Sequence, residues 1–435
     1  MTTTETEPDV RARVDDLVDQ LLAEAPPGQV RSRAFLGAQF DRGLAWVHFP
    51  EGSGGLGLGP GLQQHIAARL RDAGAPASGM RNIIGYGMVA PTLVAHGTAE
   101  QQRRYLRPLF TCEEIWCQLF SEPGAGSDVA SLATRAERDG DEWVVNGQKV
   151  WTTLAHLSSY GLLITRTDPD LPKHQGMTCF LVDMHAPGVE VRPLYQITGE
   201  AEFNEIFFTD ARVPDSARIG GVGEGWRVAL TTLMNERVSI GGNVARRGEG
   251  PIADAVRLWK ERWRGNPTAH AAALRDRLMA SWVRSEVTQL TNRRAAQARR
   301  IGTPGPEGSV AKLAYAEENQ RIYDLCIDLL GAEGMLYGSD YPKIRPEHVA
   351  IGTTDIPKAF LRVRANSIEG GTSEVMRNIL GERILGLPGE PRVDKELAWK
   401  DVPRSCAGAP GGRAGPVRWW AERMRTRTGG GDAHE

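Results

Sequence analysis

The spacing of apolar residues changes twice along this chain and divides it into a helical start, a central β region and a helical end. Between residues 9 and 110 apolar side chains such as Val14 and Val18 recur every three or four positions, as in amphipathic helices. From residue 113 to residue 222 short alternating segments are separated by Gly, Pro and Asp, a pattern typical of β-strands. After Gly225 the helical spacing returns.

These changes predict a multidomain α and β protein. Residues 1–112 are predicted to form a helical N-terminal domain and residues 113–222 a central antiparallel β-barrel or sandwich. Residues 223–387 are predicted to form a C-terminal antiparallel four-helix bundle, because two long helical stretches flank the breaker GTPGP at 302–306. Residues 388–435 are predicted to be a mobile tail.

The first predicted strand of the β region ends in a loop rich in glycine. Residues 115–120 alternate enough to form a half-buried strand, and Glu122-Pro-Gly-Ala-Gly126 ends it because proline and glycine do not support a β-ladder. This loop offers backbone N–H groups and the hydroxyls of Ser121 and Ser127 to a ligand that is rich in acceptors.

A second strand is predicted to pair with the first in a meander. The turn signal Asp139-Gly-Asp141 is followed by the strand-like segments 143–147 and 150–153. This arrangement brings Trp151 and Thr153 near the loop, where an aromatic face and a hydroxyl suit a planar heterocycle. Taken separately, each piece also fits an ordinary strand, a loop and a core tryptophan.

Three motifs together resemble the acyl-CoA dehydrogenase family. They are SEPGAGSD at 121–128, NGQKVWTT at 146–153 and EGGTSE at 369–374, and the resemblance extends over roughly residues 40–387. It implies an FAD-dependent enzyme that removes a proton from the α carbon of an acyl-CoA thioester while a hydride leaves the β carbon. It also implies an electron-transfer flavoprotein as acceptor and a homodimer or homotetramer as assembly.

The resemblance also implies contacts for individual residues. Ser127 and Arg237 are expected to contact the substrate, Ser127 at its pantetheine and Arg237 on its CoA side. The expected cofactor contacts are Leu119, Phe120, Ser121, Gly126, Ser127, Trp151, Thr152, Thr153, Thr372 and Glu374.

Two glutamates compete for the role of the base that takes the α proton. Glu369 lies one residue before the position that the base occupies in the medium-chain pattern, where this chain has Gly370. Glu236 is followed by Arg237 at the border of an apolar helix face, and it resembles the base of isovaleryl-CoA and long-chain dehydrogenases. We therefore expect Glu236 to be the base, while a base at Glu369 and the absence of a base remain alternatives.

Composition excludes several classes of partner. The net charge of −2, with 24% charged residues, does not indicate nucleic acid binding. No apolar run approaches the ~20 residues of a membrane span. The polar, acidic start excludes a secretory signal, so we expect a soluble, cytoplasmic protein. The nine histidines lack metal-ligand spacing, so no metal site is expected.

Other functions and some details stay open from the sequence. A flavin-dependent oxidase or monooxygenase on the same fold is one alternative, and a non-catalytic partner subunit of a heteromeric dehydrogenase is another. Two places depart from the family pattern on the adenine side of the cofactor. Residues 246–251 read RRGEGP, and Asp328 stands where a glutamine is frequent. The acyl group is not identified by the sequence.

Overall fold

The structure, a computed structural model, consists of helices at both ends of the chain and a β-sheet between them. It describes residues 7–79, 81–241, 247–300, 306–337, 343–346, 355–390 and 394–403. The α-helices are α1 (Glu7–Glu24), α2 (Ser32–Asp41), α3 (Leu62–Asp72), α4 (Ala90–His96), α5 (Ala99–Phe110), α6 (Gly225–Gly241), α7 (Pro251–Arg262), α8 (Ala269–Arg300), α9 (Glu307–Leu330), α10 (Ile356–Arg362) and α11 (Ser373–Ile379). The strands are β1 (Trp116–Leu119), β2 (Arg135–Asp139), β3 (Glu142–Thr153), β4 (Tyr160–Arg166), β5 (Met177–Asp183), β6 (Val189–Leu194), β7 (Phe203–Pro214) and β8 (Arg218–Ile219).

The N-terminal helices follow the predicted apolar spacing. Val14 and Val18 are fully buried in a cluster with Phe35 of α2 and Ile66 of α3. Thr98 caps α5, because its hydroxyl accepts a hydrogen bond from the backbone N–H of Gln101 at 3.1 Å. Local pattern and capping chemistry therefore define this part of the fold.

The central sheet confirms the fold class but differs from the predicted pairing. Its strand order is β6-β7-β3-β2-β4-β5-β8, with β1 added against β4. The predicted meander of β1 with β3 is wrong: β1 pairs with β4 in parallel, and β3 pairs with β2 and β7 in antiparallel. The described sheet is therefore mixed and is not a closed barrel. Alternation of side chains identifies a strand but does not encode its partner.

The chain between β1 and β2 leaves the sheet and returns to the same edge of β4. Residues 116–119 of β1 pair with residues 160–163 of β4, and Arg135 of β2 pairs with Arg166 of β4. The intervening residues 120–134, which we call the glycine loop, therefore form an excursion whose two ends are fixed to one strand. The glycine loop therefore projects from the sheet, and it contains residues that the sequence predicts to contact a ligand.

The C-terminal helices pack around α9. The apolar face of this helix recurs every three or four positions and is buried with residues of α7, α8 and α10; its members are Ile322, Leu325, Cys326 and Leu329. Gly331 ends the helix with φ of +62°, a conformation that favours glycine. No helix in the described part of the chain is long and apolar enough to cross a membrane.

Part of the predicted tail packs against the sheet. Residues 394–403 lie along the loop between β4 and β5, with a bridge between Ala398 and Pro172. Residues 404–435 lie outside the described residues, as does Arg246 of the departing stretch. The proposed domain boundaries at residues 112, 222 and 387 and the mobility of the tail stay predictions.

Candidate functional site

The end of β1 lies beside β3 even though these strands do not pair. The backbone N–H of Val150 donates to the carbonyl of Ser121 at 2.9 Å. The Lys149 ammonium donates to the carbonyl of Phe120 at 3.0 Å. The NGQKVWTT motif is thus adjacent to the SEPGAGSD motif, as the sequence analysis expected.

A buried ion pair fixes the first half of the glycine loop. Lys149 is fully buried, and its Nζ lies 2.8 Å from Glu122 Oε1. The Glu122 carboxylate also accepts backbone N–H bonds from Ala133 at 2.6 Å and Thr134 at 2.9 Å, at the other end of the loop. Burial acts to raise the pKa of Glu122, but Lys149 and these donors outweigh it and hold the pKa below its usual range. The sequence analysis assigned no role to this pair.

Trp151 presents an indole to solvent from a bulge in β3. The register of β3 against β7 shifts between Lys149 and Thr152, and Trp151 adopts φ of +59°, which is unfavourable for a bulky residue. The side chain is 57% exposed, and its ring meets Phe203 edge-on at 5.8 Å. An exposed aromatic face held in a strained backbone indicates a stacking site.

The hydroxyls around this indole differ in exposure. Ser121 and Thr153 are half-buried, whereas Thr152 is 1% exposed. Thr152 Oγ1 is buried and has no hydrogen-bond partner among the described residues. Leu119 and Phe120 are packed in the core, so a ligand would reach them only through their backbone.

The outer part of the glycine loop leaves room for a ligand. Gly126 and Ser127 are exposed, and a Cβ added to Gly126 would meet no atom within 4 Å. Packing within the described protein therefore does not require glycine here. Together with the exposed indole and the unpartnered hydroxyl of Thr152, this space fits a planar heterocycle whose edge carries hydrogen-bonding groups.

A second group of predicted cofactor contacts lies at the start of α11. Thr372 caps this helix, since its Oγ1 accepts from the Val375 N–H at 3.1 Å. Glu374 is exposed, and hydrogen bonds from its own backbone and from Thr372 hold its pKa below the usual range. Both residues border an open groove of about 610 Å³ next to α9. Ser373 Oγ is buried beside them without a partner among the described residues.

Arg362 connects this group to the sheet. Its guanidinium donates to Glu202 at 2.9 Å, just before β7, and to both oxygens of Glu369 at 3.3 and 3.1 Å. It also lies over the ring of Phe203, with 5.6 Å to the centroid. Because Phe203 contacts Trp151, a continuous series of contacts runs from the exposed indole to the turn before α11.

Glu236 lies on α6 at its contact with β1. Its side chain is half-buried, and Gln118 Nε2 of β1 donates to Glu236 Oε2 at 3.4 Å. Gln118 Oε1 is buried and has no partner among the described residues. Gln118 is not among the residues predicted from the sequence, although a polar residue in the apolar strand WCQL was the signal for it. Arg237 follows in α6, and its side chain lies outside the described residues.

The structure thus brings most of the predicted residues to one junction of the sheet and the helices. Glu236 adjoins β1 through Gln118, and two residues after the end of β1 the Ser121 carbonyl accepts from Val150, the neighbour of Trp151. Thr372 lies farther away, beyond Arg362. In the described part of the chain no group of three or more His, Cys, Asp or Glu side chains is arranged to hold a metal ion.

Models of three protein-family domains match consecutive segments of the chain. The acyl-CoA dehydrogenase N-terminal domain matches residues 4–113, the middle domain residues 117–211 and the C-terminal domain residues 223–385. The glycine loop, Trp151 and Glu236 fall within these segments.

Several individual proteins are similar to this chain in sequence or in structure. The acyl-CoA dehydrogenase IpdE1 of Mycobacterium tuberculosis is 38% identical over 353 residues, which cover 80% of this chain and 86% of that protein. The solved ChsE4-ChsE5 complex of Mycobacterium tuberculosis has a TM-score of 0.65 at 28% identity, covering 90% of this chain and 100% of that chain. The Tcur3481-Tcur3483 steroid ACAD has a TM-score of 0.67 at 25% identity, covering 89% and 100%.

Proposed function

The chain belongs to the acyl-CoA dehydrogenase family, and we propose that it oxidises the Cα–Cβ bond of an acyl thioester with Glu236 as the base. Members of this family are oxidoreductases and FAD-dependent flavoproteins that act in lipid metabolism. The reaction requires a carboxylate for the weakly acidic α proton, hydrogen-bond donors to the thioester oxygen and a hydride acceptor. When bound, FAD supplies the hydride acceptor.

The position of Glu236 carries the proposal. Its carboxylate meets Gln118 on β1, and β1 leads directly to Ser121 and the glycine loop, beside the exposed indole of Trp151. A thioester lying along the loop would then have its α carbon between the carboxylate and the stacked ring. The amide of Gln118 helps to fix the orientation of the carboxylate, and its own side-chain oxygen is buried without a partner among the described residues.

The surroundings of Glu369 argue against the alternative base. Both of its oxygens accept from Arg362, and Oε1 also accepts from Asn366 Nδ2 at 2.7 Å. Both oxygens are thus held by donors from its own segment, which fixes the carboxylate in the turn before α11 and directs it away from a thioester beside the glycine loop. Gly370 stands at the medium-chain base position and adopts φ of +65°, a conformation that favours glycine.

The chain's own side chains fit FAD as follows. We propose that Trp151 packs along the flavin ring, and that Ser121, Thr153 and the buried hydroxyl of Thr152 hydrogen-bond its edge. The backbone of Leu119 and Phe120 would contribute at the same edge. Gly126 and Ser127 border the ring and the pantetheine, Arg237 meets the CoA side, and Thr372 and Glu374 contact the far end of the cofactor.

A steroid-derived acyl thioester is our first candidate among the substrates left open by the sequence. The support is that one structural neighbour is titled a steroid ACAD. Straight-chain, branched and aromatic thioesters, and thioesters tethered to a carrier protein, complete the set to be compared.

Anaerobic bleaching of the bound flavin by acyl-CoA tests the proposal. The purified chain, loaded with FAD, is mixed without oxygen with a steroid-derived, a straight-chain, a branched and an aromatic acyl-CoA. We expect the yellow absorbance to fall with at least one of them and to recover when an electron-transfer flavoprotein is added. A protein that binds no flavin, or a flavin that no thioester bleaches, contradicts the proposal. Rapid recovery in air with peroxide release would favour an oxidase.

Assembly with a second, homologous chain is the alternative that an observation favours. The ChsE4-ChsE5 neighbour is a complex of two differently named chains. In this chain Asp328 forms an ion pair with Arg277 at 2.6 Å, where the family pattern favours a glutamine on the adenine side. Native mass spectrometry of the chain alone distinguishes the expected homodimer or homotetramer from a protein that needs a partner. A cytoplasmic location remains a prediction.

A further inference from the structure

We propose that residues 394–403, which we call the C-terminal strap, hold the glycine loop in the conformation that receives the acyl thioester. The inference rests on the proposed function in one respect, since it takes Ser127 of this loop as a substrate contact. Its physical basis is independent of that function. The strap lies beyond residue 385, where the match to the family's C-terminal domain ends.

The strap docks through its backbone on the loop between β4 and β5. Ala398 forms an antiparallel bridge with Pro172. The N–H of Trp399 donates to the Leu171 carbonyl at 2.9 Å, and the N–H of Lys400 donates to the Pro169 carbonyl at 3.0 Å. These bonds dock a bridge residue and a 3-10 turn at residues 399–401 onto backbone groups of the loop that would otherwise be unpaired. The strap therefore orders the loop that carries Lys173.

Lys173 joins the strap to the glycine loop. Its Nζ lies 2.6 Å from Asp394 of the strap and 2.8 Å from Asp128 of the glycine loop. The Lys173 side chain is only 10% exposed. Burial acts to lower the pKa of Lys173, but the two carboxylates outweigh it and raise the pKa above its usual value. Asp128 directly follows Ser127, so this bridge fixes the residue next to the expected substrate contact.

Trp399 makes the second connection. Its indole Nε1 donates to the carbonyl of Ser131 in the glycine loop at 3.3 Å. The indole also lies over the guanidinium of Arg166 at 5.0 Å, and Arg166 Nη2 donates to the Ala130 carbonyl at 2.6 Å. The arginine is 3% exposed. By covering it, Trp399 keeps water from competing for the hydrogen bond that holds Ala130.

The two halves of the glycine loop are therefore held by different devices. Glu122 and Lys149 fix the first half and the return to β2, and both residues lie within the sheet domain. Residues 128–131 are fixed by Lys173, Arg166 and the strap. Losing the strap should loosen residues 128–131 and Ser127 while leaving the flavin side of the loop in place.

Hydrogen exchange in the full-length, FAD-loaded protein tests the strap directly. In Trp399→Ala we expect the amides of residues 127–131 to exchange about tenfold faster, because one hydrogen bond and one cation–π contact are lost. In Asp394→Asn we expect about threefold faster exchange, since Lys173 keeps Asp128. The matched control is Lys400→Met, which removes an exposed strap ion pair with Asp170 that lies away from the glycine loop. Its exchange should equal that of the wild type.

Kinetics with the best acyl-CoA separate a positioning role from general damage. In each of Trp399→Ala and Asp394→Asn we expect KM to rise by about the same factor as the exchange rate of that variant. We expect kcat, flavin content and thermal midpoint to stay close to wild type. If exchange is unchanged in both variants, the strap does not hold the glycine loop, whatever the substrate is. Faster exchange with unchanged KM would overturn its link to the thioester. If the wild type bleaches with no acyl-CoA, the proposed function fails, and the exchange data still decide whether the strap holds the loop.

Discussion

Two regions of the molecule each present a glutamate to the candidate site, and the fold treats them differently. Glu369, in the turn before α11, accepts from Arg362 through both oxygens and from Asn366. Glu236, on α6, is half-buried against β1 and meets the amide of Gln118 at 3.4 Å, the long limit of a hydrogen bond. One carboxylate is held by donors from its own C-terminal segment, and the other contacts β1, the strand that precedes the glycine loop.

This difference shows why residue type and register alone do not identify a base. The carboxylate of Glu369 is placed for a structural role, because both of its oxygens are directed at donors from its own segment. A base needs a position beside the substrate and bonds that permit it to take up a proton.

Glu236→Gln should produce the largest loss. We expect the rate of flavin bleaching by acyl-CoA to fall by about 10²–10⁴-fold, the usual contribution of a general base, because an amide cannot accept the α proton. Stopped-flow absorbance under anaerobic conditions measures this rate. Glu224→Gln is the matched control, since Glu224 forms an exposed ion pair with Arg227 at the start of the same helix. A Glu236→Gln protein that bleaches at the wild-type rate would remove this residue from the role.

Glu122 is a carboxylate with a structural role, in contrast to Glu236. Glu122→Gln should lower the free energy of unfolding at pH 7 by about 3–5 kcal/mol, because it leaves the buried ammonium of Lys149 without its counter-charge. The folded-state pKa of Glu122 is lowered from 4.5, so its contribution is complete above pH 4.5 and is lost as pH falls through the folded value. The difference between wild type and variant in denaturant unfolding should therefore shrink below pH 4.5. A constant difference across that range would contradict the assignment.

Glu369→Gln should affect stability and leave the chemistry nearly unchanged. We expect a loss of about 1.5–3 kcal/mol in the free energy of unfolding, because Arg362 loses a charged partner while it keeps Glu202. The bleaching rate should stay within about threefold of wild type, since a change below ~0.7 kcal/mol is expected at a residue that takes no proton. A loss of bleaching as large as that of Glu236→Gln would reverse the comparison.

Gln118→Leu should have the smallest effect. The hydrogen bond from Gln118 to Glu236 is long, so its removal should slow bleaching by less than about tenfold, the equivalent of ~1.4 kcal/mol or less. Gln118→Glu is an informative companion, because it places a like charge beside Glu236. We expect it to slow bleaching more than the leucine does. Equal rates in wild type and both variants would show that Gln118 does not position the base.

The sequence predicts the parts of this molecule that depend on local pattern. Helix spacing identifies the buried face of α9 around Ile322 and Cys326, and the capping residue Thr98 marks the start of α5. The motifs SEPGAGSD and NGQKVWTT identify adjacent segments, because each has a signal of its own. The first is a glycine break after a strand, and the second is a strand with an aromatic residue. Each of these features is encoded in a local stretch of chain.

The sequence does not predict contacts between distant segments. Alternation in β1 does not reveal that its partner is β4 in parallel, because pairing depends on the whole sheet. Docking of the strap through Trp399 to Ser131 joins residues 268 positions apart. The stretch rich in Gly, Pro and Ala at 405–415 makes the whole end of the chain resemble a mobile tail. The role of Gln118 is evident only in the folded protein, where α6 places Glu236 beside it.

Exchange of the α proton with solvent is the sharpest test that Glu236 is the base, because it isolates the proton step from hydride transfer. The FAD-loaded proteins, with the flavin reduced beforehand, are incubated anaerobically with acyl-CoA in D₂O, and deuterium at the α carbon is followed by mass spectrometry. We predict that wild type and Glu369→Gln incorporate deuterium at similar rates, whereas Glu236→Gln incorporates none above the uncatalysed level. Wild-type incorporation by Glu236→Gln, or loss of incorporation in Glu369→Gln alone, would contradict the account.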